Sequence, residues 1–236
     1  SPKAKKAIED NIGEVSRYPD GNAFYLKHAI NKKFNIETDQ IILGNGSNDI
    51  LELVARTFLT VNDEAIYSEH AFAVYSLVVQ AVGAKGIEVP ANNYAHDLEQ
   101  FLLAINKNTK VIYIANPNNP TGTLINKSKL KSFLDNVPKN IIVVLDEAYD
   151  EYLDEDIKSE AFGWISDYKN LLISRSFSKA YGLAGMRLGY GVSSSHLIEV
   201  MNRIRQPFNV NNLAQIAAIA SLDDDDFIFK SKRINS

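Results

Sequence analysis

The sequence predicts an α/β fold of three αβα layers around a mostly parallel sheet of about seven strands. Three features point there. Short apolar runs recur along the chain, amphipathic stretches separate them, and small polar motifs follow several of the runs.

The candidate strands are 41–43, 65–68, 86–89, 111–115, 141–145, 171–175 and 188–192. Several are continuously apolar, as strands covered on both faces are. After Gly46, the residues Ile50, Val54 and Phe58 recur every four positions with Leu51 and Ala55 beside them, which makes one helical stripe. Segments 72–82 and 98–105 repeat the pattern less cleanly, and 196–205 and 213–222 read as two helices separated by Pro207. The run from Asp223 to Asp226 reads as a solvated helix end rather than a metal site, because four adjacent carboxylates cannot converge on one point from a single turn. Residues 1–24 read as a polar arm with a turn signal at Tyr18-Pro19-Asp20-Gly21.

A chain of 236 residues can bury one sizeable core, or one core with a small appended subdomain. Its hydrophobic share of 45% and charged share of 23% are ordinary for a globular protein. A net charge of −4 argues against nucleic acid as a partner. No apolar run approaches the roughly 20 residues that span a bilayer, and the basic first residues lack the apolar stretch of a signal peptide. The absence of cysteine excludes disulfides and thiol catalysis and fits a reducing cytoplasm. The four histidines are scattered without ligand-like spacing, so no metal is expected.

Chemistry is carried by four motifs at predicted strand ends, where open α/β sheets bind ligands. Gly44-Asn45-Gly46-Ser47-Asn48 opens a helix, where glycine permits close backbone approach and free N–H groups bind anions. A plain turn is the alternative. Asn116-Pro117-Asn118-Asn119-Pro120-Thr121-Gly122 makes a rigid loop that presents side-chain amides, unless it is a turn alone. Asp146-Glu147-Ala148-Tyr149 places a carboxylate at a buried strand end, where it needs a partner or serves as a helix N-cap. Ser174-Arg175-Ser176-Phe177-Ser178-Lys179 precedes Arg187; a lysine there is ordinarily solvated. One ligand needs all four. A phosphate wants N–H groups, hydroxyls and an arginine; a protonated pyridine nitrogen wants a carboxylate; a phenolate wants an amide and a phenol; an aldehyde wants a lysine. That ligand is pyridoxal phosphate (PLP).

The motifs at 116–122, 146–149 and 176–187 resemble the fold-type I PLP aminotransferases of the aspartate aminotransferase superfamily. Arg17-Tyr18-Pro19-Asp20 and Pro207-Phe208-Asn209-Val210-Asn211 are most similar to its histidinol-phosphate aminotransferase group. The resemblance implies a PLP-transferase large domain in which Lys179 is the Schiff-base lysine and Asp146 pairs with the pyridine nitrogen. Asn119 and Tyr149 would contact the phenolic oxygen, and Phe72 would stack on the ring. Gly46, Ser47, Asn48, Ser176, Ser178 and Arg187 would form the phosphate cup. Tyr18 would reach the cofactor of a second subunit, which implies a homodimer. Three segments follow: an arm at 1–24 making the dimer contact, a PLP-binding large domain at 25–206, and a helical continuation at 207–236. The chain is expected to be truncated at both ends, with the small C-terminal domain and its substrate-binding arginines largely absent.

The implied activity is transamination between histidinol phosphate and 2-oxoglutarate, giving imidazole-acetol phosphate and glutamate, in histidine biosynthesis. Amino and keto acids would be the partners, without nucleic acid or membrane. An aspartate or aromatic aminotransferase, a decarboxylase of a phosphorylated amino acid, and a non-enzymatic PLP-fold effector domain of a transcription regulator remain as alternatives.

Overall fold

A computed structural model describes residues 1–235 of the chain. The chain opens with α1 (Pro2–Asn11) and, after a 3-10 turn, α2 (Phe24–Phe34). It then alternates through β1 (Ile41–Gly44), α3 (Ser47–Phe58), β2 (Glu64–Ser68), α4 (Val74–Ala81), β3 (Lys85–Val89), α5 (Leu98–Ala104), β4 (Thr109–Ala115), α6 (Lys127–Asn136) and β5 (Ile142–Asp146). β6 (Leu171–Ser176), β7 (Gly189–Val192), α7 (Ser195–Asn202), α8 (Asn212–Leu222) and α9 (Asp225–Asn235) complete it.

The seven strands form one sheet in the order β1-β7-β6-β5-β4-β2-β3. β7 runs antiparallel to both neighbours, and the other pairings are parallel. Because side chains alternate across a strand, each strand feeds two cores. Val111, Tyr113, Ala115, Val144 and Leu172 pack with residues of α3, α4 and α7. Ile112, Ile114, Val143, Leu145, Leu171 and Ile173 pack on the other face with residues of α1, α2, α5, α6 and α8. Both faces are covered, which is why β4 from Val111 and β5 as far as Leu145 are unbroken apolar runs. α3 shows the matching helical logic: Ile50, Leu51, Leu53, Val54 and Ala55 are all buried, and each large one contributes about 1.5–3 kcal/mol.

The structure adds detail to two sequence expectations. Residues 2–11, within the presumed polar arm, form a helix capped by the Ser1 side chain, with Pro2 at its first position and Ala4 buried in the core. Its single buried side chain leaves no apolar stripe to read. The Asp223–Asp226 run lies at helix ends as expected, with Asp223, Asp225 and Asp226 exposed, and only Asp224 departs from the expectation. The run leads into the start of α9, and Asp224 is buried and accepts the Ser1 hydroxyl, which ties the chain's first residue to its last helix. Carboxylates suit a helix N-terminus, where the backbone dipole is positive.

Candidate active site

β1, β4, β5 and β6 end on the same side of the sheet, and β7 starts there. The ends of β4, β5 and β6 with the loops that follow them, the first turn of α3, Phe72, and Tyr75 of α4 enclose a cavity of about 230 Å³. Ten of the side chains picked out in the sequence line it: Ser47, Asn48, Phe72, Asn119, Asp146, Tyr149, Ser176, Ser178, Lys179 and Arg187.

Asp146 is the last residue of β5 and only 5% exposed. Its Oδ2 accepts the Tyr75 hydroxyl at 2.9 Å, while the equally buried Oδ1 has no hydrogen-bond partner among the described residues. Burial pushes the carboxyl up to about 6, against the opposing pull of the Tyr75 hydroxyl, the Ala148 N–H and the Lys179 charge. A cationic N–H donor in the cavity would satisfy Oδ1 and bring the carboxyl back down. The chain runs from Asp146 into a 3-10 turn at Asp150–Tyr152 whose N-cap is Tyr149, so Asp146 does not cap a helix. Tyr75, which sequence reasoning missed, is fully buried and stacks on Tyr113 at 5.0 Å. The Tyr113 hydroxyl is itself anchored on the Leu51 carbonyl at 3.2 Å. Phe72 meets Tyr75 edge to face at 6.0 Å.

One end of the cavity brings Arg187 against the glycine turn that opens α3. Gly46 has φ +85°, and a Cβ there would lie 2.3 Å from Arg187 Nη2. Only glycine lets the guanidinium lie against this turn. The N–H groups of Ser47 and Asn48 open α3 and have no intrahelical acceptor. Across from them, a Cβ at Gly189 would meet Ser47 N at 2.3 Å, so β7 runs directly against the start of α3. Arg187 takes a left-handed backbone, φ +57°, at a cost of about 1 kcal/mol, and its Nη1 donates to the Ala184 carbonyl at 3.0 Å. Ser176 Oγ accepts the Ser178 N–H at 3.1 Å. The acidic Asp49 of the same turn is already engaged by Asn45 N–H and Asn209 Nδ2, both at 2.8 Å.

At the other end, the three asparagines of the 116–122 loop divide their work. Asn116 pins the loop to Ile125 in both directions, at 3.0 and 2.7 Å. Asn118 donates to the His70 carbonyl and to the Thr121 hydroxyl, both at 2.8 Å. Only Asn119 is left to face the cavity, fewer than the several amides expected from the sequence. Lys179 is exposed, and its Nζ lies 5.1 Å from the centre of the Tyr149 ring.

Tyr18 is not part of this cavity. It is 83% exposed and its ring packs on Phe208 at 5.0 Å. Among the described residues, no helix is long and apolar enough to cross a membrane, and no cluster of His, Asp or Glu is fit to hold a metal ion.

Comparison with known proteins gives the same picture. The family described as aminotransferase class I and II matches residues 1–235. A histidinol-phosphate aminotransferase of Methylobacillus flagellatus is 57% identical over 235 residues, covering 100% of this chain and 64% of that protein. One from Idiomarina loihiensis is 53% identical, again over 100% of this chain and 64% of the relative. The histidinol-phosphate aminotransferase of Sinorhizobium meliloti, solved with pyridoxal-5'-phosphate, superposes with a TM-score of 0.95 at 29% identity, over 99% of this chain and 63% of that one. The chain thus spans less than two thirds of the length of these relatives. It belongs to the aminotransferase class I and II family.

Proposed function

We propose that the chain binds PLP in this cavity and is the cofactor-holding part of an aminotransferase for histidinol phosphate and 2-oxoglutarate. The buried, unpartnered Oδ1 of Asp146 carries the reading, since it calls for an N–H donor in the cavity. The residues around it fit the rest of the group. The turn at Gly46 with Ser47, Asn48, Ser176, Ser178 and Arg187 suits the phosphate, Asn119 and Tyr149 suit the phenolic oxygen, Phe72 suits the ring, and Lys179 suits the aldehyde.

PLP supplies an electron sink for the pair released when a substrate Cα–H bond breaks. The chain does the rest. Asp146 would hold the proton on the ring nitrogen, Lys179 would hold the aldehyde carbon, Phe72 would stack on the ring and Tyr149 would orient its phenolic oxygen. The Lys179 amine would be the base that takes the substrate's Cα proton. The substrate assignment rests on the 57% and 53% identical relatives. A homodimer, with Tyr18 reaching the second subunit's phosphate, and a cytoplasmic setting complete the proposal.

The test is glutamate formation by the PLP-loaded protein from histidinol phosphate and 2-oxoglutarate, run on this chain and on a version extended to the relatives' length. Glutamate formed faster from histidinol phosphate than from aspartate or phenylalanine is expected. Preference for either of those donors would overturn the substrate assignment.

A further inference from the structure

Beneath the cavity, on the opposite face of the sheet, lies a charge cluster that the proposed chemistry does not use. Arg175 is 5% exposed and sits between Ser174 and Ser176 on β6, so its side chain leaves on the face opposite to Ser176. Its Nε and Nη2 both donate to Glu147 Oε2, at 3.0 and 2.7 Å. Its Nη1 pairs with Asp150 at 2.8 Å and Glu151 at 3.4 Å. The guanidinium lies 4.6 Å from the Phe162 ring centre, and the remaining Glu147 oxygen accepts the Ser159 hydroxyl.

Glu147 directly follows Asp146, and its N–H donates to the Ser174 carbonyl at 2.9 Å. The ion pair therefore ties together the two strand ends that carry Asp146 and Tyr149 on one side, and Ser176, Ser178 and Lys179 on the other. Stability alone is a poor reason for such a device, because a buried ion pair is often matched or bettered by apolar residues of the same shape. Three carboxylates around one guanidinium make it poorer still. What the pair does supply is a fixed, directional link between two loops.

We propose that Arg175 and Glu147 are positioning residues, locking the β5 end against β6 so that Asp146, Tyr149 and Lys179 hold one arrangement before any ligand arrives. For its functional meaning this rests on the PLP reading above, but the locking itself can be read without cofactor.

Glu147→Gln keeps the side-chain shape, leaves Arg175 paired with Asp150 and Glu151, and lowers the negative excess, so the variant should fold. Arg175→Lys keeps the charge and loses the planar fork, and serves as a second variant. Amide hydrogen exchange on the cofactor-free chain is expected to quicken in segments 146–149 and 174–179 of both variants, with β4 unaffected. PLP titration should show about tenfold weaker binding, as expected when reacting groups lose their positioning, and a shifted pH midpoint for the visible absorption of bound PLP. Unchanged exchange in both segments would overturn the proposal, as would faster exchange spread evenly over the sheet with a lower melting temperature. If the parent chain itself fails to bind PLP, the functional reading falls, while the exchange result still decides whether the pair locks the two loops.

Discussion

The Tyr75 hydroxyl donates to Asp146 Oδ2 at 2.9 Å and leaves Oδ1, at the same buried strand end, without a partner among the described residues. One oxygen is held by the protein, and in the proposed reading the other receives the cofactor's ring nitrogen. Asp146→Asn is therefore expected to cost turnover far more than cofactor binding. Losing the partner of the ring nitrogen should slow the reaction about a thousandfold or more, several kcal/mol of barrier. Tyr75→Phe removes only the supporting bond, worth about 1–2 kcal/mol, and should slow it roughly tenfold. Steady-state kinetics on both variants checks this. An Asp146→Asn enzyme within tenfold of the parent would refute the role.

The same carboxyl makes a prediction about pH. Burial raises Asp146 from 3.8 to about 6 and Glu151 from 4.5 to about 7. A carboxyl whose folded pKa is raised keeps its proton in the folded chain after the unfolded chain has lost it. Its contribution is complete below the unfolded value and is lost as pH climbs through the folded one. The cofactor-free chain should thus lose stability between about pH 4 and pH 7, by on the order of 3 kcal/mol from Asp146 alone. Urea unfolding across that range should show the decline, and Asp146→Asn should flatten it. PLP should flatten it too, since a cationic ring nitrogen stabilises the ionised carboxylate.

Gly46→Ala should damage the anion end selectively. The added methyl would meet Arg187 Nη2 at 2.3 Å, on a backbone with φ +85° that alanine resists. The expected loss is about tenfold or more in affinity for PLP, against a stability cost of about 1–2 kcal/mol. Isothermal titration and thermal melts on the same sample separate the two. Undiminished PLP affinity would remove Gly46 from the phosphate site.

All seven strands were legible within a residue or two at each end; most are apolar runs because the sheet is covered on both faces, whereas β3, at the edge, is largely exposed. Helices were legible in proportion to their buried stripe. α3 with its five buried positions was plain, whereas α1 buries Ala4 alone and α2 only Leu26 and Ile30. α6 did carry a signal, Asn126 as N-cap before Leu130, Phe133 and Leu134, and went unread. The cavity residues could be named because they cluster in short motifs. Tyr75 could not, since a tyrosine inside a helix reads as core. The Arg175–Glu147 pair was hidden for another reason: its members lie 28 positions apart and meet only through the β5–β6 register.

Tyr18 tests the proposed assembly. Its ring is 83% exposed on a surface shared with the half-exposed Phe208, and Ile12 and Val15 are exposed nearby in sequence. Sedimentation should report twice the 26.3 kDa of one chain, and Tyr18→Phe should weaken PLP binding by the loss of one hydrogen bond to phosphate, about 1.5–3 kcal/mol. A monomer that binds PLP as tightly as its Tyr18→Phe variant would contradict both expectations.

The most direct measurement is to load the chain with PLP, reduce it with borohydride and map the modified residue by mass spectrometry. Lys179, whose Nζ sits beside the Tyr149 ring at the mouth of the cavity, should carry the pyridoxyl group, and Lys179→Ala should abolish the visible absorption of bound cofactor. A pyridoxyl group on any other lysine, with Lys179 unmodified, would show that this cavity is not where the cofactor is held.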